Sequence, residues 1–333
     1  MGKGKRILLG TVMTLLAAAV VVLGATVFRL LSYLEETQQT FLQIEQEVVQ
    51  EQQEETIDVE TFKQYAQEYN VNISFLQRFF DDVIVYKSGG EIIYQPIDET
   101  LEKNTINWDH LLRAGGKIEY WENGVQAAHQ VIDVSSYQGQ IDWQRVKADG
   151  IDEAYIRLGY RGWGTGEILL DEQFKNNIEN AKAAGVRVGV YFFSQAISVE
   201  EAEEEAEFVL QNLEGYELDL PVAFDTEQIT EGAGRANLLT PQERTDVTIA
   251  FCEKIKGAGY QPMVYANVEQ FFSHLEFPRI AQYEIWFAQH FTRPFFPYSL
   301  RVWQYSASGT VDGIEGPVDL NLCFSDCAPE DLS

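Results

Sequence analysis

Val222-Ala-Phe-Asp-Thr-Glu227 reads as a buried strand that ends in two carboxylates one residue apart. In a strand, residues i and i+2 point to the same side. Asp225 and Glu227 are therefore expected to project together from the strand's C-terminal end, with Cα atoms roughly 6.5 Å apart at about 3.3 Å per residue. Paired carboxylates of that kind suit acid-assisted cleavage of a glycosidic bond. In an acidic chain the same Asp-x-Glu also serves as a solvated strand exit or a helix cap, so the flanking sequence has to decide.

Outward from this stretch the pattern alternates. Short apolar runs at 131–134, 154–158 and 186–193 precede it, and runs at 263–266, 285–288, 302–305 and 318–322 follow it. Between them lie helix signals. Asp171 can cap a helix with core face Phe174, Ile178 and Ala181, ended by Gly185. Ser198 with Glu201 makes a capping box before Ala202, Ala206, Val209 and Leu213, and Thr240-Pro241 with Glu243 makes another. Little helix is expected between the last three strands. Eight strands in this order predict an α/β fold, a (β/α)8-like barrel with a mostly β last third.

Chemistry in such barrels sits at the C-terminal strand ends. Asp133 ends the first strand, Asp225 and Glu227 end the fourth, and Asp319 lies in the last, which neighbours the first in a closed barrel. Clustered carboxylates repel, so their convergence on one mouth has no ready structural purpose. Tyr137, Tyr191, Phe193, Trp286, Gln289 and Tyr305 also fall near strand ends. Aromatic faces with nearby amides form a sugar-binding lining, although each ring taken singly is equally a core residue.

Composition narrows the classes. The chain has 333 residues, 45% hydrophobic, and a net charge of −28. The core is ample. The charge argues against nucleic acid and against anionic lipid as partners. The three cysteines, Cys252, Cys323 and Cys327, make no disulfide framework or zinc spacing, and no metal or organic cofactor is implied. Cys323 and Cys327 could pair outside the cell, or stay thiols.

The N-terminal third is organised differently. Residues 1–6, with Lys3, Lys5 and Arg6, form a basic tail before an uncharged run over 7–28, long enough to span the membrane as a signal anchor. A cleaved signal peptide is the rival reading, but its best site has Leu23 where a small residue is wanted. The expected location is the cell membrane, single-pass, with the N-terminus cytoplasmic and the rest outside. Residues 29–60 suggest a helical stalk, with Leu34, Thr37, Phe41, Ile44 and Val48 at 3-4 spacing, too short for a firm coiled coil but leaving self-association open. Residues 61–125 suggest a small membrane-proximal α+β domain of illegible role, with two short helices and a hairpin around Ser88-Gly-Gly90.

From about 129 to 324 the chain resembles a glycoside hydrolase family 25 lysozyme, the muramidase family that includes bacterial autolysins and phage endolysins. The resemblance rests on Asp133-Val-Ser-Ser-Tyr-Gln-Gly139 with Ile141-Asp-Trp143, then Ala183-Ala-Gly185 with Gly189-Val-Tyr191, then Asp225-Thr-Glu227. Ile285-Trp286 with Ala288-Gln289, Trp303-Gln-Tyr305 and Val318-Asp-Leu-Asn321 complete it in family order. It implies a catalytic barrel over 126–333, Glu227 as general acid, Asp225 as its partner, Asp133 and Asp319 as supporting acids, and Tyr191 and Trp286 along the sugar groove. The substrate implied is peptidoglycan glycan, cut between N-acetylmuramic acid and N-acetylglucosamine. Phe192 stands where the family often has His, and His290 where Tyr is common, which bears on subsite detail. A non-catalytic wall-binding scaffold, or a glycosidase of another acetamido-sugar polymer, are the alternatives.

Overall fold

The computed structural model describes residues 23–41, 57–230 and 232–324. Most of the expected membrane span (7–28), much of the expected stalk (42–56) and Cys327 lie outside the described residues. Among the described residues, no helix is long and apolar enough to cross a membrane. The chain divides into two units, residues 1–68 and 69–333. In the first, the described elements are helix α1 over 23–41 and helix α2 (Val59–Glu68).

The second unit opens with helix α3 (Ile73–Leu76), whose N-cap Asn72 accepts a hydrogen bond from Phe75 N. The hairpin β1 (Val83–Ser88) and β2 (Glu91–Pro96) follows as expected, turning at Gly89 and Gly90, both at positive φ. A three-stranded antiparallel sheet, β3 (Leu111–Ala114), β4 (Lys117–Glu122) and β5 (Val125–Gln126), is not foreshadowed by the sequence pattern. Ile84, Tyr86, Ile118 and Tyr120 from these small sheets belong to the same apolar core as the barrel's outer layer.

The barrel then runs β6 (His129–Val134), α4 (Trp143–Ala148), β7 (Glu153–Arg161), β8 (Ile168–Leu170), α5 (Phe174–Ala183) and β9 (Arg187–Ser194). It continues α6 (Val199–Asn212), β10 (Val222–Thr226), α7 (Pro241–Gly257), β11 (Pro262–Asn267), α8 (Val268–Ser273) and α9 (Phe277–Ile280). Strands β12 (Glu284–Ala288), β13 (Val302–Gly309) and β14 (Val318–Cys323) end it, with no helix between them. Their order is β6-β14-β13-β12-β11-β10-β9-β7, and a β6–β7 pairing closes the ring of eight. All are parallel except β14, which runs antiparallel to both neighbours, so a short connection from β13 suffices. β8 hangs on β7 as an antiparallel arm outside the ring.

Strand alternation sorts the side chains into two layers. Even positions of β10, Val222 and Phe224, face the helices, where Phe224 meets Phe251 of α7 at 4.8 Å. Odd positions face inward, and Val131, Tyr155, Ala223, Met263, Trp286, Val302 and Cys323 fill the barrel's lower interior. Gly189 is needed there, because a Cβ would sit 2.7 Å from the Tyr155 ring and 2.8 Å from Pro221 O. The capping box at Thr240 and Glu243 is present with Pro241 in the first turn. At Ser198 only half of one forms, because the Glu201 carboxylate accepts from Ile197 N and pairs with Arg235 instead. Asp171 precedes the N-cap of α5, which is Gln173, and supports it by accepting from Gln173 N.

Candidate active site

Above the apolar plug, the inward register of the same strands is polar. Asp225 follows Ala223 on β10, and Glu227 lies one residue past the strand, two beyond Asp225. Asp133 ends β6 directly opposite Asp319 of β14 in the antiparallel register. All four acids line one cleft of about 720 Å3, within the size range of small-ligand sites.

Thr226, between the two β10-derived acids, points the other way and is held from behind. Arg244 Nη1 donates to its Oγ1 at 3.2 Å and Gln270 Nε2 at 3.3 Å. Arg244 is buried without a carboxylate partner, and desolvation pulls it down to about 10. The strand exit that aims both acids is thereby fixed on its outer face.

The electrostatics favour protonated acids. Asp225 is held well above the usual carboxylate range, first by burial and then by the neighbouring Glu227 and Asp133, with Arg157 opposing. Glu227 is raised by burial and by Asp319. Asp225 Oδ1 takes no hydrogen bond from any described donor. Asp133 Oδ2 accepts from Gln304 Nε2 (3.0 Å) and Asn321 Nδ2 (2.9 Å). Those donors favour the charged form, yet burial and the facing Asp319 outweigh them and Asp133 is raised well above its ordinary value. In all four acids burial acts first against the charged form, and a neighbouring carboxylate adds to it for Asp133, Asp225 and Glu227.

A hydrogen-bonded ring holds these groups. Tyr265 Oη donates to Gln304 Oε1 at 3.0 Å, and His290 Nε2 meets the same oxygen at 3.0 Å. Trp286 Nε1 donates to Asn321 Oδ1 at 2.7 Å. With its oxygen held by Tyr265 and His290, the Gln304 amide turns its nitrogen to Asp133. The opposite wall is cationic and aromatic. Arg157 donates to Asp171 Oδ2 (2.8 Å) and Ser136 Oγ (3.1 Å), and its guanidinium lies 5.0 Å and 5.1 Å from the Tyr137 and Tyr160 rings.

Of the expected sugar-lining residues, Tyr137, Tyr191, Phe193 and Trp286 do line the cleft. Tyr137 stands 85% exposed on the rim, whereas Trp286 is 1% exposed and forms the floor. Two are corrected. Tyr305 faces outward, donating to Gln130 Oε1 at 3.3 Å, because its neighbour Gln304 takes the inward position and strand alternation excludes both. Gln289 is spent on the loop after β12, accepting from Phe295 N at 2.8 Å and, through its carbonyl, from Trp303 Nε1 at 2.9 Å. The sequence reading missed Tyr265, Gln304, Asn321, Arg157 and Asp171. All but Asp171 carry a usable signal, since each sits two residues from an inward-facing position of its strand.

Comparison with known proteins identifies the family. A family model described as glycosyl hydrolases family 25 matches residues 132–314. The uncharacterized protein YegX of Escherichia coli (strain K12) is 30% identical over 196 residues, covering 57% of this chain and 68% of its own length. Lysozyme M1 of Streptomyces globisporus is 30% identical over 202 residues, 58% of this chain and 66% of its own. The crystal structure of the bacterial lysozyme from Streptomyces coelicolor superposes with a TM-score of 0.52 at 28% identity, over 61% of this chain and 95% of that one. The modular autolysin LytC of Streptococcus pneumoniae, solved with a synthetic peptidoglycan ligand, shares the fold with a TM-score of 0.55 at 24% identity; 73% of this chain matches 57% of it.

Proposed function

Because the chain belongs to glycosyl hydrolase family 25, we propose that it is a membrane-tethered muramidase that hydrolyses the β-1,4 bond between N-acetylmuramic acid and N-acetylglucosamine in peptidoglycan. The observation that carries this is the convergence of Asp225, Glu227, Asp133 and Asp319 on one cleft at the C-terminal mouth of the barrel. Glu227 is the better general acid, being half-buried at the rim where it can reach a glycosidic oxygen. Asp225, deeper and with a free oxygen, orients the 2-acetamido group of the sugar so that its carbonyl can attack the anomeric carbon. Asp133 and Asp319 keep the developing charge in a negative field.

Tethering rests on the basic tail before the uncharged run at 7–28, and places the barrel outside the membrane on a stalk that offers a self-association surface. The decisive experiment digests purified peptidoglycan and identifies the new reducing end. N-acetylmuramic acid ends support the proposal. N-acetylglucosamine ends refute it, and binding without new ends makes the protein a scaffold. Fractionation tests the tether: mature protein lacking residues 1–25 and free in the medium would exclude it.

A further inference from the structure

The strands β12 and β13 are parallel neighbours, yet the crossover between them, residues 289–301, carries no helix. Such a crossover leaves backbone groups that must find partners elsewhere. It finds them in residues 98–109, which lie before the barrel and outside the family match. Asn104 N donates to Pro297 O at 2.9 Å, and Ser299 N donates to Glu102 O at 3.0 Å. Asn104 Nδ2 donates to Phe296 O at 3.0 Å. Just beyond, Trp108 packs edge-on against Trp303 with centroids 5.7 Å apart.

The other end of the crossover runs straight to the acids. Phe295 N is fixed on Gln289, His290 on Gln304, and Gln304 on Asp133. Resting on the glycosidase reading above, we propose that residues 98–109 are a clamp that sets the crossover and, through Gln289, His290 and Gln304, the position of the Asp133 carboxylate. Asn104 and Trp108 are then positioning residues for catalysis, supplied by a segment outside the stretch that the family model matches. The same N-terminal part of the unit also touches the barrel away from the 289–301 crossover. Lys117 Nζ pairs with Asp149 Oδ2 at 2.8 Å, beyond the end of α4. That contact provides the control.

The test uses the full chain with Asn104→Ala and Lys117→Met, reading amide hydrogen exchange over 289–304, melting temperature, and kcat and KM for release of reducing ends. Asn104→Ala is expected to speed exchange at Gln289 and Phe295 about tenfold, the effect of losing one net hydrogen bond. It should lower kcat by about 10- to 100-fold, as misplacement of a catalytic group by a fraction of an ångström to 1 Å does, with KM within about twofold. Lys117→Met should lower melting temperature and leave exchange in 289–304, kcat and KM alone. Should Asn104→Ala not fold, Asn104→Asp keeps the acceptor for Ile106 N and loses only the donor to Phe296. Unchanged exchange at Gln289 and Phe295, or equal effects from the Lys117 variant, would overturn the clamp. A parent chain that releases no reducing ends refutes the glycosidase reading instead, and the exchange data still decide the clamp.

Discussion

In Asp133→Asn the amide oxygen can take the place of Oδ2 and keep both of its donors, Gln304 and Asn321. The new NH2 group then turns toward Asp319, so a repulsion becomes a hydrogen bond. Facing residues of an antiparallel pair have Cβ atoms about 5 Å apart. Two unit charges at that distance, with an effective dielectric of about 20, repel by about 3 kcal/mol. The parent avoids part of this by keeping a proton, so that figure is a ceiling; a hydrogen bond to a charged group adds about 1.5–3 kcal/mol. A net gain of about 1–3 kcal/mol is expected, which is about 2–10 °C in melting temperature at pH 7 for a unit of this size. The pH dependence supplies the check. Asp133 and Asp319 are both raised in the folded state, so their contribution to the parent is present below the unfolded value near 3.9 and is lost as pH rises through the folded values. The variant's advantage should therefore be large at pH 7 and shrink toward pH 4, while kcat falls about tenfold or more. Calorimetry of both proteins at the two pH values reads it. A lower melting temperature for the variant at pH 7, or a difference that ignores pH, refutes the reasoning.

Glu227→Gln should lower kcat by about 10²–10⁴-fold without lowering the melting temperature, measured by reducing-end release and calorimetry on the same samples. Because burial raises Glu227, its acid form persists above the usual carboxylate range, and parental activity should decline on the alkaline side while the residual activity of Glu227→Gln lacks that limb. Arg157→Met strands Asp171 as an unpaired buried charge and should cost about 3–5 kcal/mol in denaturant unfolding, with Arg157→Met/Asp171→Asn recovering part of it. A chain starting at residue 69 should be soluble and active, whereas one starting at 126 loses Ile84, Tyr86, Ile118 and Tyr120 from the shared core and should aggregate or be inert; equal activity of the two would show that the small sheets are dispensable.

What the sequence shows plainly is what local physics controls. Period-2 alternation placed Asp225 and Glu227 on one face, and Thr240-Pro241 with Glu243 announced α7 through contacts four residues apart or fewer. The role of the segment before the 111–126 sheet was illegible because its partners are remote: Asn104 bonds to Phe296, 192 residues on. The site followed the same division. Asp133 was readable as a strand-end acid, but its donors Gln304 and Asn321 come from strands that meet it only when the ring closes. Tyr305 was misplaced by one step of alternation, because aromatic character was weighted above register.

The last strand of the ring has a consequence for the order in which the protein is made. β14 supplies Asp319 and Asn321 and pairs with both β6 and β13, so until residues 318–323 have been synthesised the barrel is a slit sheet with two bare edges, and one of its four acids is missing. A nascent chain on the ribosome, or one cut short by a premature stop, is therefore held inactive by geometry alone. The first barrel strand waits on the last, nearly 200 residues later, which makes closure a slow, late event with non-local pairing. Hydrolytic competence arrives in one step, when residues 318–323 join the ring, and never before it.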